Sequence, residues 1–192
     1  MLINLRRMFL LLAMVTLTAL PTLADTVTFT TNTTGGPTFN RPLAGTPPSG
    51  LSAVGTAVPY VVTPLTVSLT GSYIFQSTAT TPLYDNFTIL YANSFNPASP
   101  LLNAIVANDD NPTIGLSGFT TNLTAGVNYF YVVTGFDNGD FGFATNVITG
   151  PGIITVGGGT PTAVPEPATM LLLGTGLAGV VAKVRRRKTS EN

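Results

Sequence analysis

Hydrophobic and polar residues alternate with a period of two along much of residues 26–156, and no stretch of this region has the period of an amphipathic helix. Alternation of this kind places apolar side chains on one face of a strand. Together with short apolar runs and residues that favour strands, it predicts strands at 26–29, 65–69, 73–75, 87–91, 104–107, 118–120, 127–133, 141–143, 147–148 and 153–156.

Turn-forming residues separate these segments. Gly71, Ala125-Gly126 and Asp137–Asp140 are placed to reverse the chain, and the many prolines and glycines of residues 31–59 predict loops with short strand pieces at most. Short strands at this spacing indicate an all-β fold, an antiparallel β-sandwich or jelly-roll. We predict that residues 25–156 form this body, which is long enough to bury a core without disulfides.

The first 24 residues have the layout of a secretory signal peptide. Arg6 and Arg7 form a positive flank, an apolar run extends from Met8 to Leu20, and Pro21 ends it. The predicted cleavage site lies between Ala24 and Asp25. Arg6-Arg7-Met8-Phe9-Leu10 also resembles the twin-arginine export motif, but the absence of cofactor ligands favours general secretion. The export machinery and signal peptidase are thus expected partners.

The C-terminal region has three parts in a fixed order. A Gly/Pro/Thr linker at 157–163 leads to Val164, Pro165, Glu166 and Pro167, a segment that two prolines keep extended. An apolar stretch at 168–182 is predicted to be a helix, shorter than the about 20 residues of a comfortable membrane span. A basic end at 183–188 would hold the tail on the cytoplasmic side of the membrane, and its charged residues are Lys183, Arg185, Arg186, Arg187 and Lys188.

Together, the motif, the apolar helix and the basic end resemble the bacterial PEP-CTERM sorting tail over residues 164–188. The resemblance implies processing near Pro165-Glu166-Pro167 by an exosortase, an integral-membrane transpeptidase. It also implies a precursor anchored in the inner membrane and a product at the cell surface or in the extracellular matrix, alongside exopolysaccharide.

More weakly, residues 71–152 resemble the β-sandwich of the bacterial pre-peptidase C-terminal type. The resemblance rests on Gly71–Phe75, on Asp85 with Phe87–Tyr91, on Asn108-Asp109-Asp110 and on Leu123–Tyr129. The segment Ala92–Ala104 is longer than the turn expected there. Domains of this type are accessory modules of exported proteins.

The distribution of charge excludes several kinds of site. All basic residues except Arg41 lie in the two terminal segments, so one arginine and six aspartates leave the body with a formal charge of −5. Such a body has no basic face for nucleic acid. The chain has no histidine and no cysteine, and its lysines lie in the tail, so the usual nucleophile–base pairs and zinc sites are excluded. We therefore predict no catalytic residue and no cofactor.

Calcium is the one metal that the sequence allows, because it accepts carboxylate and amide oxygens. Asp109, Asp110, Asp137 and Asp140 lie in two oxygen-rich loops, together with Asn108, Asn111 and Asn138. The alternative is that these residues cap turns through their own backbone. The tyrosines likewise suggest either a carbohydrate-binding face or core packing.

The leading hypothesis is an exported, non-enzymatic surface or matrix protein with a structural or adhesive role. One alternative is a carbohydrate- or calcium-dependent binding module. The other is a secreted hydrolase that uses aspartates. Asp109 and Asp110 are adjacent, and on a strand they would point to opposite faces, which is poor geometry for a catalytic pair.

Overall fold

Ten strands form between Asp25 and Val156 in the computed structural model, which describes residues 24–157. In chain order they are β1 (Asp25–Asn32), β2 (Thr38–Phe39), β3 (Val58–Val67), β4 (Gly71–Ala79), β5 (Asn86–Ala92), β6 (Ala104–Asn108), β7 (Leu116–Leu123), β8 (Tyr129–Gly135), β9 (Phe143–Gly150) and β10 (Ile154–Val156). The signal peptide, the sorting motif, the apolar helix and the basic end lie outside the described residues.

The strands form two sheets whose pairings are all antiparallel. The first sheet has the order β1-β9-β4-β7, and the second has the order β10-β3-β8-β5-β6, with β2 also paired to β3. The predicted all-β antiparallel sandwich is thus confirmed. Within residues 24–157, no helix is long and apolar enough to cross a membrane.

Between the two sheets lies the larger core. Its centre is aromatic: Tyr131 of β8 is fully buried, and its ring lies 5.4 Å from that of Phe75 in β4 and 6.4 Å from that of Phe119 in β7. The other buried members come from both sheets, and they include Leu65, Tyr73, Leu90, Leu123, Val133 and Ile148.

The second sheet is buried on its outer face as well. A smaller cluster there contains Phe39, Val58, Tyr60, Phe87, Ile89, Tyr91 and Val132. Phe95 packs edge-on against Phe39, Tyr60 and Tyr91, and the Tyr91 hydroxyl donates to the Pro100 carbonyl. The loop-rich segment after β1 and the loop between β5 and β6 therefore cover this face, which explains why nearly every residue of β5 is buried.

Strand β3 is longer than the predicted segment 65–69, and it contains Pro59 and Pro64. The Pro64 carbonyl accepts a hydrogen bond from the Gly157 N–H, just past the end of β10. In an extended strand the nitrogen and the carbonyl of one residue face the same neighbour, so the Pro64 nitrogen also faces away from β8. The N–H that proline lacks is therefore not needed for pairing with β8. Strand β9 begins at Phe143 and includes all of 147–148, so residues 141–142 of the predicted segment 141–143 lie before the strand.

Candidate functional site

Acidic residues gather at one end of the sandwich. Asp85 lies directly before β5, and Asp109 and Asp110 lie directly after β6. Because β5 and β6 are antiparallel neighbours, with Thr88 opposite Asn108, the start of one strand and the end of the other meet at the same end of the sheet. The loop that joins β8 to β9 reaches this end too, since Asn86 lies opposite Gly135.

Three carboxylates converge here. One oxygen each of Asp85, Asp109 and Asp110 lies within 4.8 Å of the others. Two of the four residues predicted for calcium thus belong to this group, and Asp85 joins them in place of Asp137 and Asp140. Asp109 and Asp110 do not point to opposite faces as strand residues would, because β6 ends at Asn108 and both lie in the following loop.

Asp137 and Asp140 are engaged in the turn between β8 and β9. The Gly139 N–H donates to Asp137 Oδ1 at 2.7 Å, and the Asp137 N–H donates to Asp140 Oδ2 at 3.0 Å. These are the bonds that aspartates make when they stabilise a turn. For this pair the structure agrees with the turn interpretation.

Two oxygens of the three-carboxylate group lack a partner. Asp85 Oδ1 and Asp109 Oδ1 are buried, and neither forms a hydrogen bond within the described part of the chain. A buried oxygen without a donor is costly, because it has lost its bonds to water. Both oxygens would be satisfied by a proton on the group or by a bound cation.

The pKa of Asp109 is raised to about 6, first by burial and then by the charges of Asp85 and Asp110. Burial also raises the pKa of Asp85, with contributions from Asp110 and Asp140, although a hydrogen bond from the Gly115 backbone opposes this rise. The pKa of Asp140 is likewise raised, mainly by burial. The carboxylates are therefore held close together in surroundings that disfavour their charge.

Arg41, the one basic residue of the body, lies near enough to interact with this charge, which its place in the sequence does not reveal. Its side chain is 2% exposed, and its guanidinium lies 4.1 Å from the centre of the Phe87 ring and 4.8 Å from that of Phe136. Arg41 Nε donates to the Phe136 carbonyl at 2.8 Å, and Nη1 donates to the Pro42 carbonyl at 2.9 Å.

Burial lowers the pKa of Arg41, while Asp109, Asp85, Asp140 and Asp137 oppose the effect in that order of strength. A cavity of about 370 Å³ lies beside Arg41 and Asp109 and is otherwise mostly apolar, with walls that include Leu43, Val54, Phe87 and Phe136. The acidic end thus combines partly exposed carboxylates with one buried arginine, whose hydrogen bonds go to backbone carbonyls.

The tyrosines are core residues. Tyr60, the most accessible of the six, is only 9% exposed. The tyrosine-lined carbohydrate face considered from the sequence is therefore wrong, and the core interpretation is confirmed. Ala24, on the N-terminal side of the predicted cleavage site, is exposed, and Asp25 is the first residue of β1.

Comparison with known families finds the PEP-CTERM protein-sorting motif at residues 163–187. This match confirms the resemblance predicted from Val164–Pro167 and the segments that follow it. No curated protein matches the chain. The resemblance to the pre-peptidase C-terminal type stays a prediction.

Several solved structures are distantly similar to this chain. The periplasmic lysozyme inhibitor PliG of Aeromonas hydrophila is 9% identical, with a TM-score of 0.34 over 70% of this chain and 86% of that chain. A family 35 carbohydrate-binding module from an environmental isolate is 17% identical, with a TM-score of 0.36 over 71% and 99%. The K1 cleaved adhesin domain of Lys-gingipain from Porphyromonas gingivalis W83 is 18% identical, with a TM-score of 0.36 over 71% and 99%. Likenesses this distant say nothing about function.

Proposed function

We propose that this chain is an exported precursor that is cut after Ala24 and again near Pro165-Glu166-Pro167, and whose body then serves as a non-enzymatic structural or adhesive protein of the cell surface or matrix. The observation that carries the proposal is the PEP-CTERM sorting motif at residues 163–187. A motif of this kind implies export and processing by an exosortase. The tail would anchor the precursor in the membrane only until processing removes it.

The side chains of the body support a role without catalysis. The chain has no histidine and no cysteine, residues 25–157 have no lysine, and the six tyrosines are buried, so a carboxylate is the one accessible general base of the body. The acidic end offers carboxylates, but its arginine is buried and bonded to two backbone carbonyls. A role in the matrix beside exopolysaccharide is part of the same proposal.

Intact-mass measurement on the protein from its native envelope tests the proposal. We expect a mature form that begins at Asp25 and ends near Pro165–Pro167. The variant Glu166→Ala should keep the full tail to Asn192, whereas the matched control Glu191→Ala, which changes a glutamate outside the motif, should be processed normally. A wild-type chain that still ends at Asn192 would contradict the processing step.

A second candidate function is calcium-dependent binding or adhesion at the acidic end. The observation that favours it is the pair of buried, unpartnered oxygens, Asp85 Oδ1 and Asp109 Oδ1, beside the Asp110 carboxylate. Calcium binds carboxylate oxygens and takes the rest of its ligands from carbonyls and water. Bound calcium would also offset the burial and the carboxylate repulsion that raise the pKa values of Asp85 and Asp109.

Thermal unfolding with millimolar calcium and with a chelator tests this candidate. We expect calcium to raise the midpoint of the wild type, because a ligand that binds only the folded state stabilises it. Asp110→Asn should lose the response. Asp137→Asn should keep it, since Asp137 lies outside the three-carboxylate group and asparagine can still accept the Gly139 bond. A wild-type midpoint that is the same in calcium and chelator would rule the site out.

A further inference from the structure

The outer edge of β1 is a long strand edge whose backbone is open to pairing along its length. Strand β1 is eight residues long and lies at the end of the first sheet, paired only with β9. The register with β9 runs without a bulge from Asp25 opposite Gly150 to Asn32 opposite Phe143. Among residues 24–157, no strand lies against its other side.

The remaining edges are short or covered. On β7, the Gly118 N–H donates to Asn108 Oδ1, and the Gly118 carbonyl accepts from Asn111 Nδ2. On β6, the N–H and carbonyl of Ala107 both bond to Gly45. The edge strand β10 has three residues, and β2 has two. Loops and side chains thus protect β6 and the Leu116–Gly118 part of β7, which leaves only the short stretch of Thr120 and Asn122 facing outward on β7. The small size of β10 and β2 limits what they can pair with.

The hydrogen-bonding groups on the free edge of β1 can be assigned from its register. The Thr33 N–H donates to the Gly142 carbonyl, so the odd-numbered residues direct their backbone groups toward β9. The even-numbered residues Thr26, Thr28, Thr30 and Asn32 therefore direct theirs outward. Of these, the Thr26 N–H is bonded to the Asp25 side chain.

The sequence of β1 carries none of the features that block edge pairing. Residues 26–32 contain no charge, no proline and no glycine. Thr26, Thr28 and Thr30 are exposed, while Val27 and Phe29 on the opposite face are only partly buried at the rim of the inter-sheet core. A strand added here would cover the unpaired backbone groups and the rim of the core together.

We propose that this edge binds a second copy of the same chain, with the two β1 strands antiparallel about a two-fold axis. The pattern of β1 is self-complementary. If the even-numbered residues of one copy lie opposite the even-numbered residues of the other, the free N–H and carbonyl groups of the two strands face each other and can form hydrogen bonds. This register also keeps threonines on one face and Val27 and Phe29 on the other in both copies. No like charges face each other in residues 26–32.

The two four-stranded sheets would then form one continuous eight-stranded sheet. The contact is isologous, so it closes at the dimer and leaves no open end for further growth. The inference uses only the edge of the body, and it rests on the proposed function solely for the mature form, which begins at Asp25.

Mass measurement in solution on the mature protein, by light scattering or sedimentation, tests the dimer. We expect wild type to be dimeric and Thr28→Lys to be monomeric, since each copy then carries a charge at the centre of the contact. Thr28 bonds no backbone group of β9, so the fold should survive, which circular dichroism would confirm. The matched control Thr120→Lys places the same charge on the exposed face of β7 and should stay dimeric.

Cross-linking gives a second readout on the same protein. Because the chain has no cysteine, Thr28→Cys supplies a single thiol. A short bis-maleimide should join two Thr28→Cys copies in high yield and two Thr120→Cys copies poorly. A monomeric wild type, a dimer that survives Thr28→Lys, or equal cross-linking at both positions would overturn the proposal.

Discussion

Replacing Arg41 by methionine is expected to lower the free energy of unfolding by about 2–3 kcal/mol, since the Phe136 and Pro42 carbonyls lose their donors and the partly exposed carboxylates nearby lose a compensating charge. Arg41 is 2% exposed and is the cation that opposes the charges of Asp109, Asp85 and Asp140. Methionine would fill much of the space between Phe87 and Phe136, so the loss would come from charge and hydrogen bonding. Chemical denaturation near pH 7.5 measures it.

Two further measurements separate charge from packing at Arg41. Arg41→Lys keeps the charge but not the planar donors that reach the Phe136 and Pro42 carbonyls, so an intermediate loss is expected. The penalty of Arg41→Met should shrink near pH 4, where the neighbouring carboxyls take up protons. A methionine variant as stable as the wild type at neutral pH would show that the cation is dispensable.

Replacing Asp109 by asparagine is expected to raise the free energy of unfolding near pH 7.5 by about 1–2 kcal/mol, after an allowance for solvent screening. The pKa of Asp109 rises from an ordinary value of 3.8 to about 6 in the folded state. Between these values the folded protein holds more protons than the unfolded chain, so stability falls as pH rises through this window. Below it, the favourable contribution of the protonated group is fully present.

A pH series of unfolding measurements on wild type and Asp109→Asn checks this sign. Between about pH 4 and 6, the free energy of unfolding of the wild type should fall relative to that of Asp109→Asn. Above this range, the difference between the two free energies should stay constant. Asp137→Asn is the matched control for the substitution itself, since Asp137 lies outside the three-carboxylate group and asparagine can still accept the Gly139 bond. A variant that follows the wild-type profile in parallel would mean that Asp109 does not titrate in this range.

The alternation of residues was sufficient to predict the strands that have one buried face. In β4 and β9, buried residues alternate with more exposed ones, and the sequence pattern predicts part of each strand. For β9 it predicts two short segments in place of one strand. The alternation could not predict that β5 and β8 are buried on both faces. The residues that cover their outer face belong to loops far away in the sequence, around Phe39 and Phe95. Pairing of β3 with β8 likewise overrode the local bias of Pro59 and Pro64 against a strand.

The acidic end was predicted only in part, for a related reason. Asp109 and Asp110 stand out as neighbours in the sequence, and Asp137 and Asp140 stand out as a turn. Asp85 is a lone aspartate whose place in the group depends on the pairing of β5 with β6. The two aromatic rings that flank the Arg41 guanidinium belong to Phe87 and Phe136, 46 and 95 residues farther along the chain, so these contacts could be known only from the fold.

The last strand of the body, β10, has consequences for how the protein carries force. Any pull on the C-terminal tail enters the body through Ile154–Val156, which pair with only three residues of β3. The Asp25 carboxylate accepts a bond from the Ile154 N–H, so the first residue of β1 reinforces this short strand. The first element to yield under load would therefore be β10, while the aromatic core between the sheets stays intact. Mechanical strength at the tail is then set by a handful of hydrogen bonds, one of them made by the residue that signal-peptide cleavage would leave as the new N-terminus.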